Sequence, residues 1–121
     1  MNSTKNPEFS EDFVLRKHAD YSDDITIKKG GLTVETNGAF LSKVTMIESE
    51  KPVILEDRAF IYELHMMNGG EIFFKGKNIW IVNLVTEDKL TLHIPKSVTD
   101  WRIYVETAND CLIKVIQDQD G

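Results

Sequence analysis

The stretch EIFFKGKNIWIVNLVTEDKLTLHI, residues 71–94, decides the fold class, because apolar side chains recur in it at every second position. β-Branched and aromatic residues fill the apolar runs, and such residues fit a pleated, half-buried surface. The pairs Gly76/Lys77 and Glu87/Asp88 separate the runs and are typical of turns. We therefore predict three β-strands within this stretch.

The same alternation begins at Ile25 and continues almost to the C-terminus, which predicts an all-β fold. Residues 9–19 are the exception. Ser10 is a possible N-cap, with Glu11 and Asp12 in a first helical turn, so at most one short N-terminal helix is expected. The apolar triplet at residues 13–15 would also suit a strand.

An antiparallel arrangement follows if the two turn pairs are two-residue hairpin loops. Ile72 would then face Ile81, and Ile81 would face Ile94, in one consistent register. The middle strand is apolar on both faces, which is typical of a strand buried on both sides. This interpretation favours a mainly antiparallel sandwich or small barrel.

A β-solenoid is the alternative architecture. The first apolar residues of successive runs lie at positions 25, 32, 44, 53, 60, 72, 79 and 90. Short and long spacings alternate and together indicate about 20 residues per coil. No side chain repeats at matching positions, and the interval from 44 to 53 breaks the series, so the sandwich or barrel is preferred.

The 121 residues suit a single domain, divided into a flexible arm (1–8), a β-domain (9–117) and an acidic tail (118–121). Lys and Arg number 14 against 20 Asp and Glu, and the net charge of −6 argues against nucleic-acid binding. The single cysteine, Cys111, forms neither an intramolecular disulfide nor a cysteine zinc site.

The longest apolar run, residues 79–82, is far too short to span a bilayer, and residues 1–12 contain no apolar signal-peptide core. We therefore expect a soluble protein without membrane partners, located in the cytoplasm or assembled into a particle.

Catalytic and metal-binding motifs are weak. Glu63 and His65 share one face of a strand, and with His93 they would form a metal triad if the two strands were neighbours. No strained Gly-x-Ser-x-Gly elbow occurs, and no helix follows the glycines to form a phosphate loop. We expect no enzyme activity and no cofactor.

Protein contacts are the leading hypothesis for function. Residues 59–67 are fairly apolar on both predicted faces and end in two adjacent methionines, which adapt to irregular partners. Trp101 follows a loop and is expected to be partly covered. The candidate partner-binding residues are Ile61, Tyr62, Met66, Met67 and Trp101.

The sequence thus predicts a non-catalytic β-domain that self-assembles as a homo-oligomer or captures a protein partner. An acidic inhibitor or immunity-type protein and a small phage or bacterial structural component are both possible forms. The alternative is a small-molecule or carbohydrate binder, with Trp80 and Tyr104 as stacking residues and Asn83 as a polar contact. Asn83 alternates with Ile81 and Val85 and is expected on the buried face, opposite Leu92.

Overall fold

The computed structural model describes residues 8–15, 20–21, 24–35, 40–76, 78–95, 102–107 and 112–118. Within these ranges the chain forms thirteen β-strands in two sheets. The first sheet contains β1 (Glu8–Phe9), β3 (Asp20–Tyr21), β4 (Ile25–Lys28), β6 (Phe40–Ile47), β8 (Phe60–Met66), β10 (Asn78–Thr86) and β12 (Arg102–Thr107). The second sheet contains β2 (Phe13–Leu15), β5 (Leu32–Val34), β7 (Val53–Leu55), β9 (Gly70–Phe74), β11 (Leu90–Pro95) and β13 (Ile113–Asp118).

All strand pairings are parallel, and from β4 onward successive strands alternate between the two sheets. The first sheet runs in the order β1-β4-β6-β8-β10-β12, with β3 also pairing with β6, and the second runs β13-β11-β9-β7-β5-β2. A chain that returns to the same sheet once per coil, always in parallel, is a β-solenoid. The all-β prediction and its solenoid alternative are confirmed, whereas the antiparallel sandwich or barrel is wrong.

The strand register gives the length of a coil. In the first sheet Ile61 lies between Leu41 of the preceding coil and Ile81 of the following one. In the second sheet Ile72 lies between Val53 and Leu92 in the same way. The predicted coil of about 20 residues therefore holds through the centre of the molecule.

The two predicted hairpin loops are corners between sheets. The chain passes from β9 to β10 between Phe74 and Asn78, and from β10 to β11 between Thr86 and Leu90. Each corner hydrogen-bonds to a neighbouring coil, as where the Lys75 N–H donates to the Leu55 carbonyl at 2.8 Å. The antiparallel meander predicted over residues 71–94 is therefore wrong. The sequence could not exclude it, because period-two alternation is compatible with either pairing direction.

The N-terminal helix is also wrong where the structure describes this segment. Phe13, Val14 and Leu15 form β2, which pairs with β5, and the Phe13 N–H donates to the Gly31 carbonyl at 2.9 Å. Residues 16–19 lie outside the described residues. Leu15 is buried, so burial against the next coil overrides the weak helix-capping pattern.

The core consists of apolar columns, each built from one inward position repeated in successive coils. In β10, Ile79, Ile81 and Leu84 point into this core, whereas Trp80 points outward and is 42% exposed. The prediction that this strand is buried on both faces is therefore wrong. Within the described ranges, no helix has the length and apolar character needed to cross a membrane.

The long strands of the first sheet bend in the middle. In β8, Ile61 and Leu64 are both buried, while Tyr62 and Glu63 between them face outward. The same shift in alternation occurs in β6 and β10, and β3 and β4 pair separately with the two halves of β6. Each central coil thus has three straight runs, two in the first sheet and one in the second.

We expect Ile81→Asp to unfold the protein, because Ile81 is fully buried between Ile61 and Val105 in the register of the first sheet. An unpaired carboxylate at this position should cost ~4 kcal/mol or more. Circular dichroism melting would measure the loss, with Val82→Asp, at a half-buried position, as the milder control. An unchanged melting temperature for Ile81→Asp would contradict the core assignment.

We also expect Gly76→Ala to destabilise the stacked corner between the second and first sheets. An alanine Cβ at Gly76 would lie 2.3 Å from the Asp57 Cα and 2.4 Å from the Asp57 backbone nitrogen, so one backbone would have to move. The expected loss is ~1–3 kcal/mol in urea unfolding. Lys75→Ala, at the exposed neighbouring position, should change stability little. Equal midpoints for the two variants would rule out this close approach.

Candidate functional site

The outer surface of the first sheet carries a cluster of aromatic side chains on β8 and β10, which we call the aromatic patch (Phe60, Tyr62 and Trp80). Phe60 and Trp80 are paired in register, and their ring centroids lie 5.8 Å apart with an interplanar angle of 51°. Tyr62 projects outward two positions after Phe60 and is 51% exposed. The patch therefore combines a tilted ring pair with an exposed phenol on a fixed strand platform.

The strand register places one further aromatic residue on each side of the patch, and together these residues form an aromatic column. Phe40 in β6 pairs with Phe60, and Tyr104 in β12 pairs with Trp80. Aromatic residues therefore occupy the same register position in four successive coils. This column could be recognised in the sequence only once the coil length was known, since each of its members lies a full coil or more from the next.

The residues predicted for partner binding are divided between the core and the surface. Ile61 and Met66 are buried and belong to the core, so neither is available to a partner. Met67 is half-buried, Tyr62 is exposed, and Trp101 lies outside the described residues. The bend between Tyr62 and Glu63 explains this division. Strict alternation would place Met66 on the same face as Tyr62, but after the bend Met66 faces the core.

The alternative ligand-binding residues all lie on two neighbouring strands of the first sheet, β10 and β12. Trp80 and Tyr104 are adjacent in register on neighbouring strands. Asn83 pairs with Glu63 and Thr107 near the bend, where its side chain is half-buried on the outer surface. The expectation that Asn83 lies in the core opposite a residue of β11 is therefore wrong, since β11 belongs to the other sheet.

The structure does not bring the suggested metal ligands together. Glu63 and His65 do share a face, and the His65 Nε2 atom lies 2.9 Å from the Glu63 Oε1 atom. His93 lies in the second sheet, where it stacks on Phe73 at 4.3 Å and its Nε2 atom lies 3.1 Å from the Glu71 Oε2 atom. Among the described residues, no group of three or more His, Cys, Asp or Glu side chains could hold a metal ion.

A second surface feature, which the sequence analysis did not identify, is a polar turn around Asp12. The Asp12 Oδ1 atom accepts a hydrogen bond from the Gly31 N–H at 3.0 Å and lies 3.2 Å from the Lys51 Nζ atom. These residues come from three successive coils, and two of them, Asp12 and Lys51, border a shallow cavity of 340 Å³. The close approach requires a glycine at position 30, where a Cβ would lie 2.2 Å from the Glu11 carbonyl oxygen.

This turn is better explained as a structural contact than as a binding site. The Gly31 N–H and the Lys51 ammonium hold the pKa of the Asp12 carboxyl below its ordinary value of 3.8. The Asp12 carboxylate and the Lys51 ammonium are already paired with each other, and both side chains are more than half exposed. The aromatic patch, by contrast, presents apolar area to solvent and is the stronger candidate functional site.

Comparison of the chain with protein-family models, with curated proteins and with solved structures finds no match.

We predict that Asp12 makes the stability of the protein depend on acidic pH. The carboxylate is stabilised in the folded state, so its contribution is present above pH 3.8 and is lost as the pH falls through the lowered folded-state pKa. Asp12→Asn should melt at a lower temperature than the original chain at neutral pH, and this difference should shrink below pH 3.8. Glu11→Gln, which leaves the Gly31 hydrogen bond intact, is the control. A pH-independent difference would show that the charge of Asp12 is not involved.

Proposed function

We propose that this chain is a non-catalytic β-solenoid that acts through protein–protein contacts, and that it self-assembles. Of the two forms of protein contact expected from the sequence, self-assembly and capture of a different protein, self-assembly is the one we propose. The aromatic patch carries this proposal, since Tyr62 and Trp80 are 51% and 42% exposed on a regular sheet surface. Exposed aromatic clusters on rigid scaffolds are typical of interaction surfaces.

The patch can supply adequate binding energy. Removing one large apolar side chain from water contributes ~1.5–3 kcal/mol, and tilted aromatic pairs such as Phe60 and Trp80 add ~0.5–1.5 kcal/mol. β8 and β10 each have a hydrogen-bonded strand on both sides. Their backbones are therefore already ordered, and little conformational entropy is lost when a partner covers them. A few such contacts are sufficient for association.

The charge distribution is compatible with contact between two acidic copies. Each copy carries a net charge of −6, so an interface between copies needs a surface whose acidic groups are already paired. Glu63, the residue after Tyr62, already has a hydrogen-bonding partner, since its Oε1 atom lies 2.9 Å from the His65 Nε2 atom. Phe60, Tyr62 and Trp80 themselves contribute no carboxylate to this surface.

Binding of a carbohydrate is the second candidate function, and one observation favours it. Trp80 pairs in register with Phe60 on one side and Tyr104 on the other, so aromatic residues follow one another along the solenoid axis. Strand neighbours are about 4.8 Å apart, and sugar rings stack on aromatic faces. A linear oligosaccharide lying along this column is the ligand that the arrangement would fit.

We expect the double variant Tyr62→Ser/Trp80→Ser to shift the protein toward monomer while leaving the fold intact. Sedimentation velocity over a hundredfold concentration range would measure the assembly state, and circular dichroism would check folding. The control is Phe73→Ser, which removes an aromatic side chain from the outer surface of the second sheet. Self-assembly through the patch is disproved if the original chain is monomeric throughout, or if the double variant associates as strongly as the original.

The carbohydrate alternative is tested by titrating the original chain and Trp80→Ser with cello- and chito-oligosaccharides in a calorimeter. Heat of binding that disappears in Trp80→Ser, together with a monomeric original chain, would favour the ligand-binding function over self-assembly. The absence of heat with every sugar would eliminate the carbohydrate proposal for these two classes.

A further inference from the structure

The C-terminal end of the solenoid presents a core position to solvent. Val115 in β13 pairs with Leu92, which is 5% exposed and continues a column of fully buried residues through Ile72 and Val53. Val115 itself is 58% exposed, because β13 is the last strand of the second sheet among the described residues. An apolar residue that faces the core in every earlier coil is thus left partly uncovered in the last one.

The N-terminal end presents the matching edge. Among the described residues β2 is the first strand of the second sheet, and its Phe13 begins the same column, since it pairs with Leu32. Phe13 is half-buried, and the outward neighbour Val14 is 38% exposed. Both ends of the second sheet therefore carry a parallel strand edge with apolar side chains at equivalent positions.

We propose that copies of this chain stack end to end, with β13 of one copy pairing in parallel with β2 of the next. This inference deepens the proposed self-assembly and rests on it, but it uses a surface different from the aromatic patch. In the register of the existing coils, Val115 lies beside Phe13 of the next copy, and Ile116 lies beside Val14. The core column and the outer column both continue from one copy into the next.

Charge complementarity supports the same register. Lys114, which is exposed, immediately precedes Val115, and Asp12 immediately precedes Phe13. Pairing Val115 with Phe13 therefore places the Lys114 ammonium beside the Asp12 carboxylate of the next copy, whose Oδ1 atom also lies 3.2 Å from the Lys51 Nζ atom of that copy. Opposite charges on neighbouring strands favour this pairing.

The contact is head-to-tail, because the two edges that meet are different. A head-to-tail contact leaves one free edge at each end of the pair, so further copies can add and an open filament results. A twofold dimer would instead join two identical edges. The two possibilities predict different covalent products when single cysteines are placed at the two ends.

The decisive test is disulfide cross-linking of the full chain in a Cys111→Ser background. Strand neighbours lie about 4.8 Å apart, within the ~4.4–6.8 Å range of Cα separations that a disulfide bridges. Val14→Cys and Ile116→Cys stand at opposite ends of one copy, about 24 Å apart over five strand spacings, so they cannot link within a chain. We expect an oxidised mixture of the two single variants to give a one-to-one dimer and the doubly substituted chain to give a ladder of oligomers.

The single variants are the internal controls, and neither should cross-link with itself. Self-linking of either one would establish a twofold contact and overturn the head-to-tail proposal. No cross-link in the mixture would also overturn it, as would occur if residues 1–7 of the same chain covered β2.

A second measurement separates this inference from the aromatic patch. Val115→Lys should abolish filament growth without unfolding, since Val115 is already largely exposed, while Thr33→Lys on the outer surface of the same sheet should not. If Tyr62→Ser/Trp80→Ser prevents association while the terminal cysteines never cross-link, the proposed function stands and the end-to-end contact is wrong. If the cysteines cross-link and the patch variant still associates, the patch assignment fails and the end-to-end contact stands.

Discussion

Parallel hydrogen bonding between coils in register is the interaction on which the rest of this structure depends. Each inner strand pairs with the strand one coil before and the strand one coil after, so every inward position becomes a column of side chains. A slip of one residue in any coil would move its apolar set from the core to the surface. The corners reinforce the register, as where the Ser49 Oγ donates to the Gly30 carbonyl at 2.6 Å and Asn68 accepts from the Glu48 N–H.

The stacked corners impose a steric requirement as well as providing hydrogen bonds. Gly30 and Gly76 each lie so close to the backbone of the preceding coil that a Cβ would overlap it. Lys29, Glu48 and Arg58 adopt positive φ angles at corners, although they are not glycines. Such conformations persist where surrounding contacts determine them. The hydrogen bonds of the stack therefore stabilise corners that the isolated sequence would not favour.

Because the coils stack in register, the side chains that can contact a partner lie in the outer columns and at the two ends of the solenoid. The interior is filled mainly by aliphatic side chains, so the groups available to a partner are those that face outward in each coil. Residues one coil apart become neighbours, which is how Phe60 meets Trp80, and how Phe73 meets His93 in the second sheet. In a solenoid each coil contacts only its neighbours, so the terminal coils expose edges that must be covered or joined.

The sequence by itself determined the all-β class and the turns near Gly76 and Glu87, and it indicated about 20 residues per coil only for the alternative architecture. It also placed Glu63 and His65 on one face, as their 2.9 Å contact shows. Only the tertiary structure decided that the strands are parallel, because alternation with a period of two is identical in both pairing directions. It also decided the bend in β8, which leaves Tyr62 outside but turns Met66 inside. The strands that hydrogen-bond to β8 lie one full coil away along the chain, so a local pattern does not reveal how β8 is placed.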